Sequence, residues 1–238
     1  MHWAKSVIID IEVTEAASSD IREMLQNRCG RELLSDAVYE LIIKNRYYDA
    51  KPEMNWLRQK SHSMHKSKRI PHVIGCEEEA VRLAKRWDYS IEAAAEAGIL
   101  HDITKRLGLE EQLILCSKYG ILIDTLEQSS EKLLHSKTGA ALSKDMFGIS
   151  DDIYSAICWH TTGKAEMSLL EKILYLADYI EPNRDFDGVD ELRTLCYEDI
   201  DAAMSLGLKM SIEDLEERGS PIHPKTFEAY KYYSKVKG

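Results

Sequence analysis

The chain has 238 residues, 44 % of them hydrophobic and 30 % charged, with a formal net charge of −10. That length supports one good core, or one domain with a smaller addition. No apolar run approaches the roughly 20 residues that span a bilayer, and the acid excess argues against a protein that grips a nucleic-acid backbone.

The opening segment from Met1 to Val13 lacks the basic flank and small-residue cleavage site of a signal peptide. Val7 to Ile11 reads as a short strand. Ser18, Ser19 and Asp20 offer N-caps to a helix near 21–26, and Asp36 to Ile43 has apolar residues at helical spacing. Residues 51–68 turn polar and basic and read as a connector, with His62 and His65 facing solvent. Further helices are expected near 77–87, 90–102, 110–118, 131–146, 151–160, 168–180, 199–218 and 225–235, punctuated by Gly108, Gly120, Gly148, Gly163, Pro182 and Pro221. The expectation is therefore all-α: a helical bundle over 69–238, a connector over 51–68, and a small strand-helix-helix appendage over 1–50. Five cysteines (Cys29, Cys76, Cys116, Cys158, Cys196) form no Cys-x-x-Cys pair. A disulfide framework or structural zinc site is not expected, and a reducing cytoplasm is the natural setting.

The chemistry concentrates in polar residues that end apolar stretches. His101-Asp102 follows Gly98-Ile99-Leu100, and a buried aspartate needs a partner or a metal. His72 follows Arg69-Ile70-Pro71 just before a helix. His135 follows Leu133-Leu134, His160 ends Ala156-Ile157-Cys158-Trp159, and Asp178 interrupts Leu174-Tyr175-Leu176-Ala177. Taken singly, each is as well read as a core or capping residue. Packed together, imidazoles and carboxylates on separate helices can converge on one centre, with iron, manganese or zinc as suitable ions.

This ordered series resembles the HD-domain metal-dependent phosphohydrolases, and more closely the YqeK family of symmetrical diadenosine-tetraphosphate hydrolases. The strings Gly98 to Lys105, Leu133-Leu134-His135, Trp159-His160-Thr161-Thr162-Gly163 and Ala177-Asp178-Tyr179-Ile180-Glu181-Pro182 carry the resemblance. It implies a helical HD domain holding two divalent ions, iron foremost. Their ligands would be His72, His101, Asp102, His135, His160 and Asp178, with Asp102 bridging. The implied reaction is hydrolysis of a dinucleoside tetraphosphate to two nucleoside diphosphates, with Asp102 and Lys105 catalytic. Arg69, Lys105, Thr161, Thr162, Gly163 and Arg184 would bind the nucleotide substrate. Alternative readings are an HD phosphohydrolase acting on a guanosine polyphosphate alarmone and a non-catalytic nucleotide-binding module. No nucleic-acid or membrane partner is expected, and a homodimer is compatible with the sequence.

A second resemblance lies upstream. Ala16-Ala17-Ser18-Ser19-Asp20-Ile21-Arg22 is similar to the closing Ile-Ser-Ser-Thr-x-Ile-Arg motif of nicotinate-nucleotide adenylyltransferases, with Ser18, Ile21 and Arg22 retained. The His-x-Gly-His nucleotide motif of that family is absent from the sequence. Residues 1–50 are therefore expected to lack adenylyltransferase activity and to be either the tail of a longer fusion or a packing surface.

Overall fold

The computed structural model describes residues 17–235, and among them only helices and turns occur. The strand expected at Val7 to Ile11 lies outside the described residues. The helices are α1 (Ser18–Gln26), α2 (Asp36–Asn45), α3 (Met54–Ser63), α4 (Ile70–Arg86), α5 (Ile91–Leu100), α6 (Leu109–Tyr119), α7 (Glu131–Phe147), α8 (Asp151–Trp159), α9 (Leu169–Ile180), α10 (Val189–Glu198), α11 (Ile200–Glu217) and α12 (Pro224–Tyr233). No helix among the described residues is long and apolar enough to cross a membrane.

Helix α5 lies at the centre. Ser90 caps it by accepting from Ala93 N, and Ala94 to Leu100 are all buried. Its side chains are small, so neighbours come close. A Cβ on Gly98 would sit 2.7 Å from Glu77 Cα, so the backbones of α4 and α5 meet there in a way only glycine permits. Helices α7, α8 and α9 close the bundle around it. Ser168 and Glu171 form a reciprocal capping box that starts α9.

Several elements differ from expectation. Helix α4 begins at Ile70 rather than near 77, so His72 stands in its first turn. Pro71 is compatible there because its missing N–H is one that a helix start leaves unpaired anyway. The segment 51–68 is largely the helix α3, which buries Trp56, Leu57 and Ser61 despite its polar composition. Helix α10 was not expected at all. His65 is buried rather than solvent-facing, its Nε2 lying 3.3 Å from Ser61 Oγ.

The N-terminal helices do not form a separate appendage. Leu25, Tyr39, Ile42 and Ile43 join the common core, with Tyr39 packed edge-on against Trp56 and Trp56 against Phe147. Arg28 and Arg46 both reach the buried Glu96 of α5, at 2.7 and 2.9 Å. Arg46 also donates to the carbonyls of Phe147 and Gly148. Removing one partner leaves the others carrying uncompensated buried charge. We expect Glu96→Gln to lower unfolding stability by about 3 kcal/mol, read by urea titration. A loss below a few tenths would mean that packing alone docks the N-terminal helices.

His65 gives a pH signature. Burial, with His101 nearby, pushes its pKa down to about 4, against roughly 6.5 for an unfolded histidine. The unfolded state therefore takes up the proton first as pH falls. Stability is lost through this group between about pH 6.5 and 4, reaching roughly 2 kcal/mol at pH 5. Unfolding of the wild type and of His65→Gln at pH 7.5 and pH 5 should show a smaller drop in the variant.

Candidate metal centre

Five segments deliver the polar residues. His72 comes from the first turn of α4 and His101-Asp102 from the turn after α5. His135 lies on α7, His160 directly follows α8, and Asp178 lies on α9. His101 and Asp102 have no exposed surface, and His72, His135 and His160 are buried.

The donors fall into two groups that share Asp102. One holds His72, His101 and Asp102; the other holds Asp102, His135 and His160. His72 Nε2 lies 3.2 Å from His101 Nε2 and 3.1 Å from Asp178 Oδ1. His135 Nε2 lies 3.1 Å from His160 Nε2. Asp102 Oδ2 faces the first pair, 3.5 Å from His101 Nε2. Its Oδ1 faces the second, 3.1 Å from His135 Nε2 and 3.6 Å from His160 Nε2.

The protons can be placed from the other ring nitrogens. Nδ1 of His101, His135 and His160 each lies 2.7 Å from the carbonyl three residues back, those of Gly98, Lys132 and Ile157. Nδ1 of His72 lies 3.0 Å from Glu181 Oε1. Each of these partners only accepts, so each Nδ1 must carry a proton. In the neutral ring, Nε2 then presents a lone pair to the centre. Burial and the Lys105 ammonium push the His135 pKa down to about 3, which keeps that ring neutral. Lone pairs so close together repel one another. Asp102 Oδ1, buried between two of them, accepts no hydrogen bond. A cation suits such a set: imidazoles with Nδ1 tied, carboxylates whose charge pushes His101 well above the usual histidine range, and an orphaned buried oxygen.

Existing cations partly balance the carboxylates. Arg69 donates from Nε to Asp102 Oδ2 at 2.8 Å, with its Nη2 on the same oxygen. Arg184 Nη2 donates to Asp178 Oδ1 at 2.7 Å. Lys105 Nζ lies 3.0 Å from His135 Nε2 and 3.9 Å from Asp102 Oδ1. Burial alone would raise the Asp102 carboxyl, but His101 and Lys105 hold it well below the usual range. Burial opposes the same outcome at Asp178, where the nearby positive charge of His101 and Arg184 prevails. Both stay ionised.

A family profile described as HD domain matches residues 69–183. The chain is 40 % identical over 163 residues to the symmetrical bis(5'-nucleosyl)-tetraphosphatase of Halalkalibacterium halodurans, covering 68 % of this chain and 87 % of that one. The chain belongs to the HD-domain family of symmetrical bis(5'-nucleosyl)-tetraphosphatases. A crystal structure of an HD superfamily hydrolase from Clostridium acetobutylicum, described as involved in NAD metabolism, superposes with a TM-score of 0.75 at 36 % identity. That match covers 79 % of this chain and all of the other. The chain is also 30 % identical over 192 residues to a probable nicotinate-nucleotide adenylyltransferase/Ap4A hydrolase of Mycoplasma genitalium, spanning 78 % of this chain and 52 % of that protein.

Within this HD domain the other expected residues separate by position. Thr161 Oγ1 faces the centre, 3.3 Å from His135 Nε2 and 3.4 Å from His160 Nε2. Thr162 and Gly163 turn away. Gly163, at φ +63°, ends the α8 turn by donating to Trp159 O, and its open side meets Leu208, Ala229 and Met167. Thr162 is buried, its carbonyl accepting from Thr226 Oγ1. The helix-capping reading fits this geometry better than a phosphate loop. Lys105 is not on a continuing helix, because α5 stops at Leu100. The turn over 101–106 keeps it beside Asp102 through Lys105 N to Asp102 O at 2.8 Å.

Three residues were missed. Glu181 is 1 % exposed and fixes the His72 ring. Asn183 donates to Glu181 Oε2 through both its backbone and side chain. Arg193 of the unexpected α10 donates to the carbonyls of Ile180, Glu181 and Arg184, holding the turn that presents Glu181 and Arg184. A glutamate closing the largely apolar run 173–180, two residues before an asparagine, was the available signal. Glu181→Gln should retain the fold and weaken divalent-ion binding roughly tenfold or more. Metal content after dialysis against graded manganese reads this directly, and unchanged affinity would show that His72 needs no orienting carboxylate.

Proposed function

We propose that the protein hydrolyses dinucleoside tetraphosphates symmetrically, releasing two nucleoside diphosphates. The observation that carries this reading is the pair of buried donor groups joined through the two oxygens of Asp102. A shared carboxylate with one oxygen in each group is the arrangement that suits two divalent ions. His72, His101 and Asp178 would hold one, His135 and His160 the other, and Asp102 would bridge them. Iron is our first choice of metal, with manganese or zinc as alternatives that imidazole–carboxylate sets also accept. When bound, such ions activate water and polarise a phosphoryl oxygen.

The chain's own residues supply the rest. Asp102 stays ionised, so it would serve as a metal ligand and not as a proton donor. Lys105, with 35 % of its side chain exposed, stands at the mouth of the centre and can place its ammonium on a phosphoryl oxygen. Arg69 and Arg184 flank the centre on opposite carboxylates and offer further donors to a polyphosphate chain. Thr161 adds a hydroxyl. The leaving group is a nucleoside diphosphate, already a stable anion, so the site needs charge stabilisation more than a general acid. Residues 17–50 serve as a packing surface in this reading, without adenylyltransferase chemistry.

Diadenosine tetraphosphate incubated with manganese- or iron-loaded protein should give ADP as the sole product by chromatography. AMP with ATP would move the point of attack, and no turnover would transfer the site to another nucleotide. Asp102→Ala should abolish turnover and lose metal with its helical circular dichroism kept. Lys105→Ala should keep its metal but lose roughly 100-fold in kcat/KM, the scale of removing one charge-stabilising donor.

A further inference from the structure

Arg69 and Lys105, which both reach Asp102, also line a basic pocket of about 380 Å³ together with His65, Lys66, Lys68 and Arg106. No carboxylate lines it. Arg69 and Lys105 turn inward to Asp102. Among the described residues, Lys66, Lys68 and Arg106 make no ion pair. In a chain of net charge −10, cations gathered without counter-charge repel one another, and an anion relieves the repulsion. Lys66 precedes and Lys68 lies within the short 3₁₀ turn Ser67–Arg69 that leads into α4, so the turn delivers them beside Arg69.

A second cavity of about 310 Å³ adjoins the first, and Arg106 lines both. Apart from Arg106 and Glu111 its wall is apolar: Met64, Ile103, Leu107, Ile114, Leu115 and Leu142. Ile114 is 61 % exposed, a large apolar group left open to water. Shared residues set one order: Arg69 and Lys105 join the metal donors to the cationic pocket, and Arg106 joins that pocket to the apolar wall.

We infer that these two pockets bind one nucleoside diphosphate half of the substrate, phosphates on Lys66, Lys68 and Arg106 and the base against Ile114 and Leu107. Arg106 spans both parts, because a planar guanidinium both pairs with phosphate and stacks on a base. The occupant follows from the continuity of the pockets: a flat, largely apolar ring tethered to a polyanion matches an apolar groove tethered to a cationic one. This assignment deepens the proposed function and rests on it for the identity of the nucleotide.

The test separates the two. ADP and inorganic diphosphate are titrated by calorimetry into manganese-loaded wild type, Lys66→Ala/Lys68→Ala and Ile114→Asp, and KM for diadenosine tetraphosphate is measured on each. None of these residues packs in the core, so folding should hold. The double lysine variant should weaken both ligands roughly tenfold or more, as loss of charge-assisted hydrogen bonds predicts. It should raise KM similarly, with kcat within about twofold. Ile114→Asp should weaken ADP and leave diphosphate unchanged. Normal KM and normal ADP affinity in both variants would overturn the assignment while leaving tetraphosphate hydrolysis intact. Equal weakening of ADP and diphosphate by Ile114→Asp would overturn the placement of the base. The expected binding pattern in a wild type that turns over no tetraphosphate would uphold the pockets and sink the proposed reaction.

Discussion

A carboxylate with no exposed surface must keep its charge at Asp102, and much of the bundle can be read as the means. Removing a carboxylate from water costs several kcal/mol unless nearby groups replace the hydration. Arg69 satisfies one oxygen. The other lies between two imidazole nitrogens whose lone pairs cannot donate to it. Hydrogen bonding inside the chain therefore leaves Asp102 Oδ1 without a donor, a position that suits added positive charge. That is why the geometry speaks for metal more strongly than the residue types do.

The lone pairs point inward because of where the histidines stand on their helices. His101 and His160 come directly after the last residues of α5 and α8. Each ring donates through Nδ1 to the carbonyl three residues back, a carbonyl that a helix end would otherwise leave unpaired. One bond thus caps the helix, fixes the tautomer and aims Nε2 at the centre. Distances between elements follow from similarly local causes. His72 reaches within 3.2 Å of His101 because α4 and α5 touch at Gly98, where any side chain would meet the Glu77 backbone. The turn over 101–106 is tied to α7 through Thr104 Oγ1 to His135 O at 2.8 Å, and Gln112 in turn donates to Thr104 O. The two donor groups are thus connected through buried polar bonds as well as through Asp102.

This logic explains what could be read from the sequence. The donors stand out because each is a polar residue ending or interrupting an apolar stretch, and helical periodicity located most of the bundle. The start of α4 was hidden because Pro71 looks like a boundary while being compatible with a first turn. Helix α3 was hidden by its polar surface, although Trp56 and Leu57 carry its packing face. His65 looked solvated for the same reason. Helix α10 and the role of Glu181 depend on one another through Arg193, a long-range contact with no periodic signature. Thr162 and Gly163 share a string with His160 but not a direction, since the αL turn at Gly163 sends the chain toward α11 and α12. Sequence adjacency located the segment; only backbone conformation decided which of its residues face the centre.

The N-terminal helices follow the same division between motif and geometry. In the motif they resemble, hydroxyls and an arginine meet phosphate at a helix start. Here Ser18 and Ser19 are exposed, no side chain caps α1, and Arg22 lies 4.6 Å over the Tyr48 ring. The apolar face that packs onto α7 and α3 is continuous with the core, and two arginines from this segment meet on Glu96, within the helix that ends at His101. The segment therefore supports the helix that positions His101-Asp102, while Arg22 is turned onto the Tyr48 ring. Apolar packing and the ion pairs to Glu96 together join this segment to the rest of the described chain.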